Sequence, residues 1–146
     1  MISEGAEAIV VDLRGNPGGL AKEAVRAAEV FLPVGSAVLT ERGQHIDTKT
    51  FSTRFAPVDT KVAVAILVDG QTASSAEILA GALNDNGRAE LFGSTTFGKG
   101  RIQDIVTLKT GGAFKYTYAE YLTPRGFALD QVGLTPDFVL APTGDL

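Results

Sequence analysis

Lys99 sits between two glycines in Gly93-Ser94-Thr95-Thr96-Phe97-Gly98-Lys99-Gly100, where it could serve as a phosphate ligand or as a proton acceptor. Glycine, four residues, then Gly-Lys is the front of a phosphate-binding loop. Such a loop needs a Ser or Thr after the lysine for magnesium, and a helix whose amides meet the anion. Here Gly100 follows, and beyond it comes the alternation of a strand, which disfavours nucleotide binding. A second cluster, Gly70-Gln71-Thr72-Ala73-Ser74-Ser75-Ala76-Glu77, puts two serines where a strand turns into a helix, near amides that can donate to a forming anion. That arrangement suits acyl transfer. The plainer reading is a helix cap, with Glu77 completing a capping-box-like arrangement.

A serine nucleophile needs a base. The single histidine, His45, lies in a polar stretch and reads as a solvated residue. The absence of cysteine removes thiol nucleophiles, disulfides and thiolate metal sites together. The remaining base is a lysine, usable only where burial or neighbouring groups favour the neutral amine. Gly98 and Gly100 would give clearance around a buried Lys99. On the residues alone, a solvated turn lysine and a Ser-Lys pair both stand.

The elements that must position these residues are legible from period and punctuation. Ala8 to Leu13 is a continuous apolar run, the pattern of a strand buried on both faces, closed by the turn Arg14-Gly15-Asn16-Pro17-Gly18-Gly19. Leu20, Ala24, Ala27, Ala28 and Phe31 then form a helical stripe that Pro33 and Gly35 stop. Val38 to Thr40 and Ile46 to Phe51 suggest a hairpin around Gly43. Lys61 to Asp69 reads as a second buried strand, followed by a helix from about Ala73 to Leu83 and a left-handed cap at Gly87. Glu90 to Phe92 is a brief strand, Arg101 to Leu108 and Ala113 to Leu122 a hairpin, and Phe138 to Leu140 a last apolar run. Two strand-turn-helix units with added hairpins predict a single α/β domain.

At 146 residues the chain can bury a conventional core, and 45% hydrophobic with 21% charged residues place it among globular proteins. A net charge of −4 supplies no basic face for nucleic acid, and no apolar run reaches membrane-spanning length. Met1-Ile2-Ser3-Glu4-Gly5 lacks the basic start and apolar stretch of a signal peptide.

Five stretches resemble the carboxyl-terminal processing proteases, also called tail-specific proteases, a family of serine peptidases with a Ser-Lys dyad. They are VDLRGNPGGL at 11–20, TASSAE at 72–77, NGRA at 86–89, TFGKGRIQ at 96–103 and GLTPD at 133–137, in the family's order and running nearly end to end. The resemblance implies Ser74 as nucleophile, Lys99 as general base and Gln103 as the residue that helps hold the lysine. On a strand, Gln103 lies four residues on and would share a face with Lys99. It further implies an oxyanion hole from backbone amides of the glycine turn, Gly18 and Gly19, and of Ser75. The family usually has Ser-Ala-Ser before the glutamate, whereas this chain has Ser74-Ser75-Ala76, which makes Ser75 a rival nucleophile.

The implied fold is a crotonase- and Clp-protease-like core of βα units with added β-hairpins. The implied substrates are proteins with apolar or unfolded C-terminal tails, with no metal, nucleotide or other cofactor. The family's peptide-capturing PDZ domain and the first part of its catalytic core are not among these residues. Ser3-Glu4-Gly5-Ala6 resembles the end of a preceding helix, and residues 1–146 are expected to be a partial catalytic domain with little turnover alone. Family members are usually exported to the periplasm, cell envelope or thylakoid lumen. A related domain in interphotoreceptor retinoid-binding protein supplies the other reading, a non-catalytic binding module on the same fold.

Overall fold

The computed structural model describes residues 5–140. Along them run β1 (Ala8–Asp12), α1 (Ala21–Glu29), β2 (Ala37–Gly43), β3 (Ile46–Ser52), β4 (Ala63–Val68), α2 (Ser75–Asp85), β5 (Glu90–Gly93), β6 (Arg101–Thr107), β7 (Ala113–Leu122) and β8 (Phe138–Val139). The expected strand-turn-helix units and both hairpins are present. Ser3 and Glu4, read as part of a preceding helix end, lie outside the described residues, and Gly5 is in a turn.

Two four-stranded sheets divide the work. One is parallel throughout, in the order β1-β4-β5-β8, with Val11 opposite Ile66 and Ile66 opposite Leu91. The other is antiparallel, in the order β3-β2-β7-β6. Ile66, Val68 and Leu91 on the parallel sheet pack with Ala24, Ala28, Ile78, Ala80 and Leu83 from the two helices to make the core. Ala76, Ala80, Gly81 and Ala82 fit the buried positions of α2, and Gly81 leaves only 3.2 Å between an added Cβ and Thr123.

The sequence misplaces β1. Its apolar run predicts burial on both faces, yet β1 is the edge strand among the described residues and Val10 is 62% exposed. A run of Val and Ile reports affinity for a sheet without reporting which side of the strand is covered. Helix α1 also starts later and ends earlier than its stripe suggests. Leu20 is its exposed N-cap and Val30 its C-cap, three residues before Pro33.

Candidate active site

The second strand-turn-helix unit delivers Ser74. Its strand, β4, ends at Val68, and the turn is drawn tight by Thr72, whose hydroxyl donates to Leu13 O at 2.8 Å and so ties the ends of β1 and β4 together. Ser74 is the N-cap of α2, with φ 57° and ψ −121°, a left-handed conformation that ordinary residues rarely adopt. Holding a non-glycine residue there costs about 1–3 kcal/mol and requires neighbours that over-determine it.

Those neighbours converge on Glu77. As the capping-box pattern predicts, its Oε2 accepts the Ser74 N–H at 2.9 Å. It is also fully buried. The same Oε2 accepts the Lys99 N–H at 2.9 Å, while Oε1 accepts the Gly98 N–H at 2.8 Å and the Thr96 hydroxyl at 2.5 Å. Four donors thus fill the four lone-pair sites of one carboxylate. Sharing a single oxygen holds the Ser74 and Lys99 nitrogens within about 6 Å of each other. Thr96 in turn accepts the Leu134 N–H at 2.7 Å, so the GLTPD stretch braces the lysine loop from behind. Sequence reasoning missed this junction. Its signal was a glutamate three places after the serine, with nothing to announce that the first turn of α2 would be buried.

The expected side-chain environment of Lys99 differs from the observed one. Lys99 is exposed, and among the described residues its amine makes no hydrogen bond and no ion pair; in particular it is not bonded to Ser74 Oγ. Gly98 and Gly100 do not clear space for a buried amine. An added Cβ at Gly98 would stand 2.9 Å from the Val132 and Gly133 nitrogens, and one at Gly100 would stand 2.5 Å from the Asp130 nitrogen. They are glycines because the 129–133 backbone passes against them. Gln103 is exposed on β6 and donates to Thr117 Oγ1 at 3.2 Å. The strand begins only at Arg101, and its register with β7 shifts between Ile102 and Gln103, so simple alternation from Lys99 does not carry through. His45 is exposed in the two-residue turn between β2 and β3, as expected.

The glycine turn after β1 abuts Ser74 directly. A Cβ on Gly18 would meet Ala73 O, the Ser75 nitrogen at 2.8 Å and the Ser74 Cβ at 2.9 Å. Asn16 pins the approach, its carbonyl accepting the Ala73 N–H at 2.9 Å and its side chain accepting the Gly18 N–H at 2.9 Å. The Gly19 N–H donates to Ser75 Oγ at 2.6 Å. Of the three amides expected to hold an oxyanion, only that of Ser75, at the first position of α2, has no acceptor among the described residues. Asp69 supports the turn from below, accepting from Gly15 N, Gln71 N and Thr72 N at 2.9–3.1 Å. Burial pushes the Asp69 carboxyl up, but these hydrogen bonds outweigh it and leave the group below the usual carboxylate range. Asp12 is held down to about 2, first by the Arg14 guanidinium that hydrogen-bonds it at 2.7 and 2.9 Å.

A family model described as peptidase family S41 matches residues 1–140. The chain belongs to peptidase family S41. Among S41 relatives it is 42% identical over 137 residues to a carboxyl-terminal-processing protease of Picosynechococcus sp., covering 94% of this chain and 33% of that protein. It is 39% identical over 131 residues to a carboxy-terminal-processing protease of Bartonella bacilliformis, covering 90% of this chain and 30% of that protein. The structure matches the photosystem II D1 C-terminal processing protease with a TM-score of 0.91 at 34% identity, over 97% of this chain and 36% of the other. The mixed α/β fold is therefore an S41 fold, and the chain spans about a third of the length of these relatives. No helix among the described residues is long and apolar enough to cross a membrane.

Proposed function

We propose that this chain carries the Ser74-Lys99 centre of a serine endopeptidase that cleaves proteins near their C-termini. One observation carries the reading: the backbone amides of Ser74 and Lys99 donate to the same buried Glu77 oxygen. That shared bond holds side by side the two segments that carry the proposed nucleophile and the proposed base. In the reaction, Ser74 Oγ bonds to the substrate carbonyl carbon while its proton passes to the neutral Lys99 amine. The carbonyl electron pair becomes an oxyanion, received by the main-chain N–H of Ser75 and, once they leave Ser75 Oγ and Asn16 Oδ1, by those of Gly19 and Gly18. Collapse of this adduct expels the amine product, which takes the proton from Lys99, and water then hydrolyses the ester on Ser74. Gln103 orients the lysine after releasing Thr117. Because Lys99 is exposed among the described residues, the substrate or further parts of a longer protease supply the burial its neutral form needs.

The curated relatives are about three times the length of this chain, so the longer protease, with these residues as the C-terminal part of its catalytic core, is the unit to test. In it, Ser74→Ala and Lys99→Ala each lower hydrolysis of an unfolded protein substrate by at least about a thousandfold, whereas Ser75→Ala retains turnover. Retained hydrolysis in Ser74→Ala would falsify the assignment. Export to the periplasm, cell envelope or thylakoid lumen is part of the same proposal, and it is checked by fractionating cells that make the full-length protein.

A further inference from the structure

Ser75 occupies the very donor that the reaction needs. Its Oγ lies 2.6 Å from the Gly19 nitrogen and accepts that N–H, as the carbonyl oxygen of a substrate would. Its own backbone N–H, next along from Ser74, has no acceptor among the described residues. One residue therefore offers one amide to the site and stops another. On the reading of Ser74 and Lys99 given above, we infer that the Ser75 hydroxyl is a built-in stand-in for substrate oxygen, reserving the Gly19 donor for the transition state.

The physical basis is a competition between acceptors. A substrate carbonyl and a serine hydroxyl are both neutral, so the ground-state complex gains little by exchanging one for the other at Gly19. An oxyanion is charged, and hydrogen bonds to charged acceptors are roughly twice as strong as neutral ones, so it displaces the hydroxyl. Vacating the position takes one rotation about the Ser75 χ1 bond, between staggered wells. Without the hydroxyl, carbonyl and oxyanion would both gain the Gly19 donor, which tightens binding of the two alike and leaves the barrier between them little changed. Ser75 thus separates the two stages at Gly19, which a residue without a hydroxyl at this position could not do.

The test compares Ser75→Ala with Ser75→Thr, which keeps a hydroxyl, in the full-length protease with a peptide substrate and a peptide boronate whose tetrahedral oxygen seeks the same donors. In Ser75→Ala, KM and the boronate inhibition constant fall together by roughly three- to tenfold, the equivalent of one net hydrogen bond, while kcat changes little. Exchange of the Gly19 amide hydrogen, followed in the same protein without ligand, accelerates in Ser75→Ala. In Ser75→Thr, which keeps an acceptor for the Gly19 N–H, KM, the inhibition constant and exchange shift less than in Ser75→Ala. A lower kcat with weaker boronate binding in Ser75→Ala overturns the inference, because the hydroxyl would then be a donor to the oxyanion. Unchanged KM, inhibition constant and exchange overturn it as well. Persistent turnover in Ser74→Ala overturns the underlying catalytic reading instead, whatever Ser75 does.

Discussion

Two glycine-bearing loops meet at Ser74, and each is organised by one carboxylate that gathers backbone N–H groups. Asp69 gathers those of Gly15, Gln71 and Thr72 at a half-exposed turn, and Glu77 gathers those of Ser74, Gly98 and Lys99 in full burial. Water can take over from Asp69 if its carboxylate is lost. Around Glu77 nothing can, because donors that lose a buried acceptor keep their whole desolvation penalty. The same local device is thus adjustable on the glycine-turn side and rigid on the lysine side.

Breaking the rigid side should have the largest effect. Glu77→Ala strands four donors and is expected to cost at least about 3 kcal/mol, read as a lower urea midpoint, with loss of whatever activity depends on the Ser74 to Lys99 spacing. Next comes the contact between the two sides. Gly18→Ala drives a Cβ into Ala73 O at a φ of 85° and is expected to cost roughly 2–3 kcal/mol, whereas Gly87→Ala, at φ 68° with nothing within 4 Å, loses only about 1 kcal/mol. Equal costs in thermal unfolding would show that the approach of Gly18 to Ser74 is looser than described.

The adjustable side is probed by acid. The Asp69 carboxyl is held below its ordinary range, so its contribution is present above pH about 4 and is lost as pH falls through the lower folded value. Asp69→Asn is therefore expected to lose about 1–2 kcal/mol at neutral pH, and the gap from wild type should close below pH about 4. The smallest effect belongs to the exposed Asp12 and Arg14 pair. Arg14→Ala is expected to leave the urea midpoint nearly unchanged, and any difference should vanish in high salt.

What was legible in the sequence follows the range of the forces involved. Strand and helix identities, the His45 turn and the left-handed cap at Gly87 were readable because period and turn chemistry are local. The five family stretches were readable too, yet their parts serve different purposes. GLTPD braces the lysine loop through Leu134, and its Asp137 accepts the Leu91 N–H at 2.7 Å. The reasons behind Gly98 and Gly100 were invisible because the 129–133 backbone that requires them arrives from thirty or so positions away. The local pattern predicts Glu77 as a cap and is silent on its larger role, since only tertiary packing turns a first-turn glutamate into the acceptor for a distant loop. The exposure of Val10 is misjudged and that of Lys99 left open for a related cause: composition shows what a residue tolerates, and coverage is decided by neighbours.

The left-handed backbone of Ser74 carries a consequence for mutational tolerance. At φ 57° and ψ −121° the residue best suited to the geometry is glycine, which would also be inert as a nucleophile. Ser74→Gly is therefore expected to melt at a higher temperature than the parent. Random mutation under selection for foldedness alone would drift toward this silent form, and only a requirement for turnover would keep the serine in place.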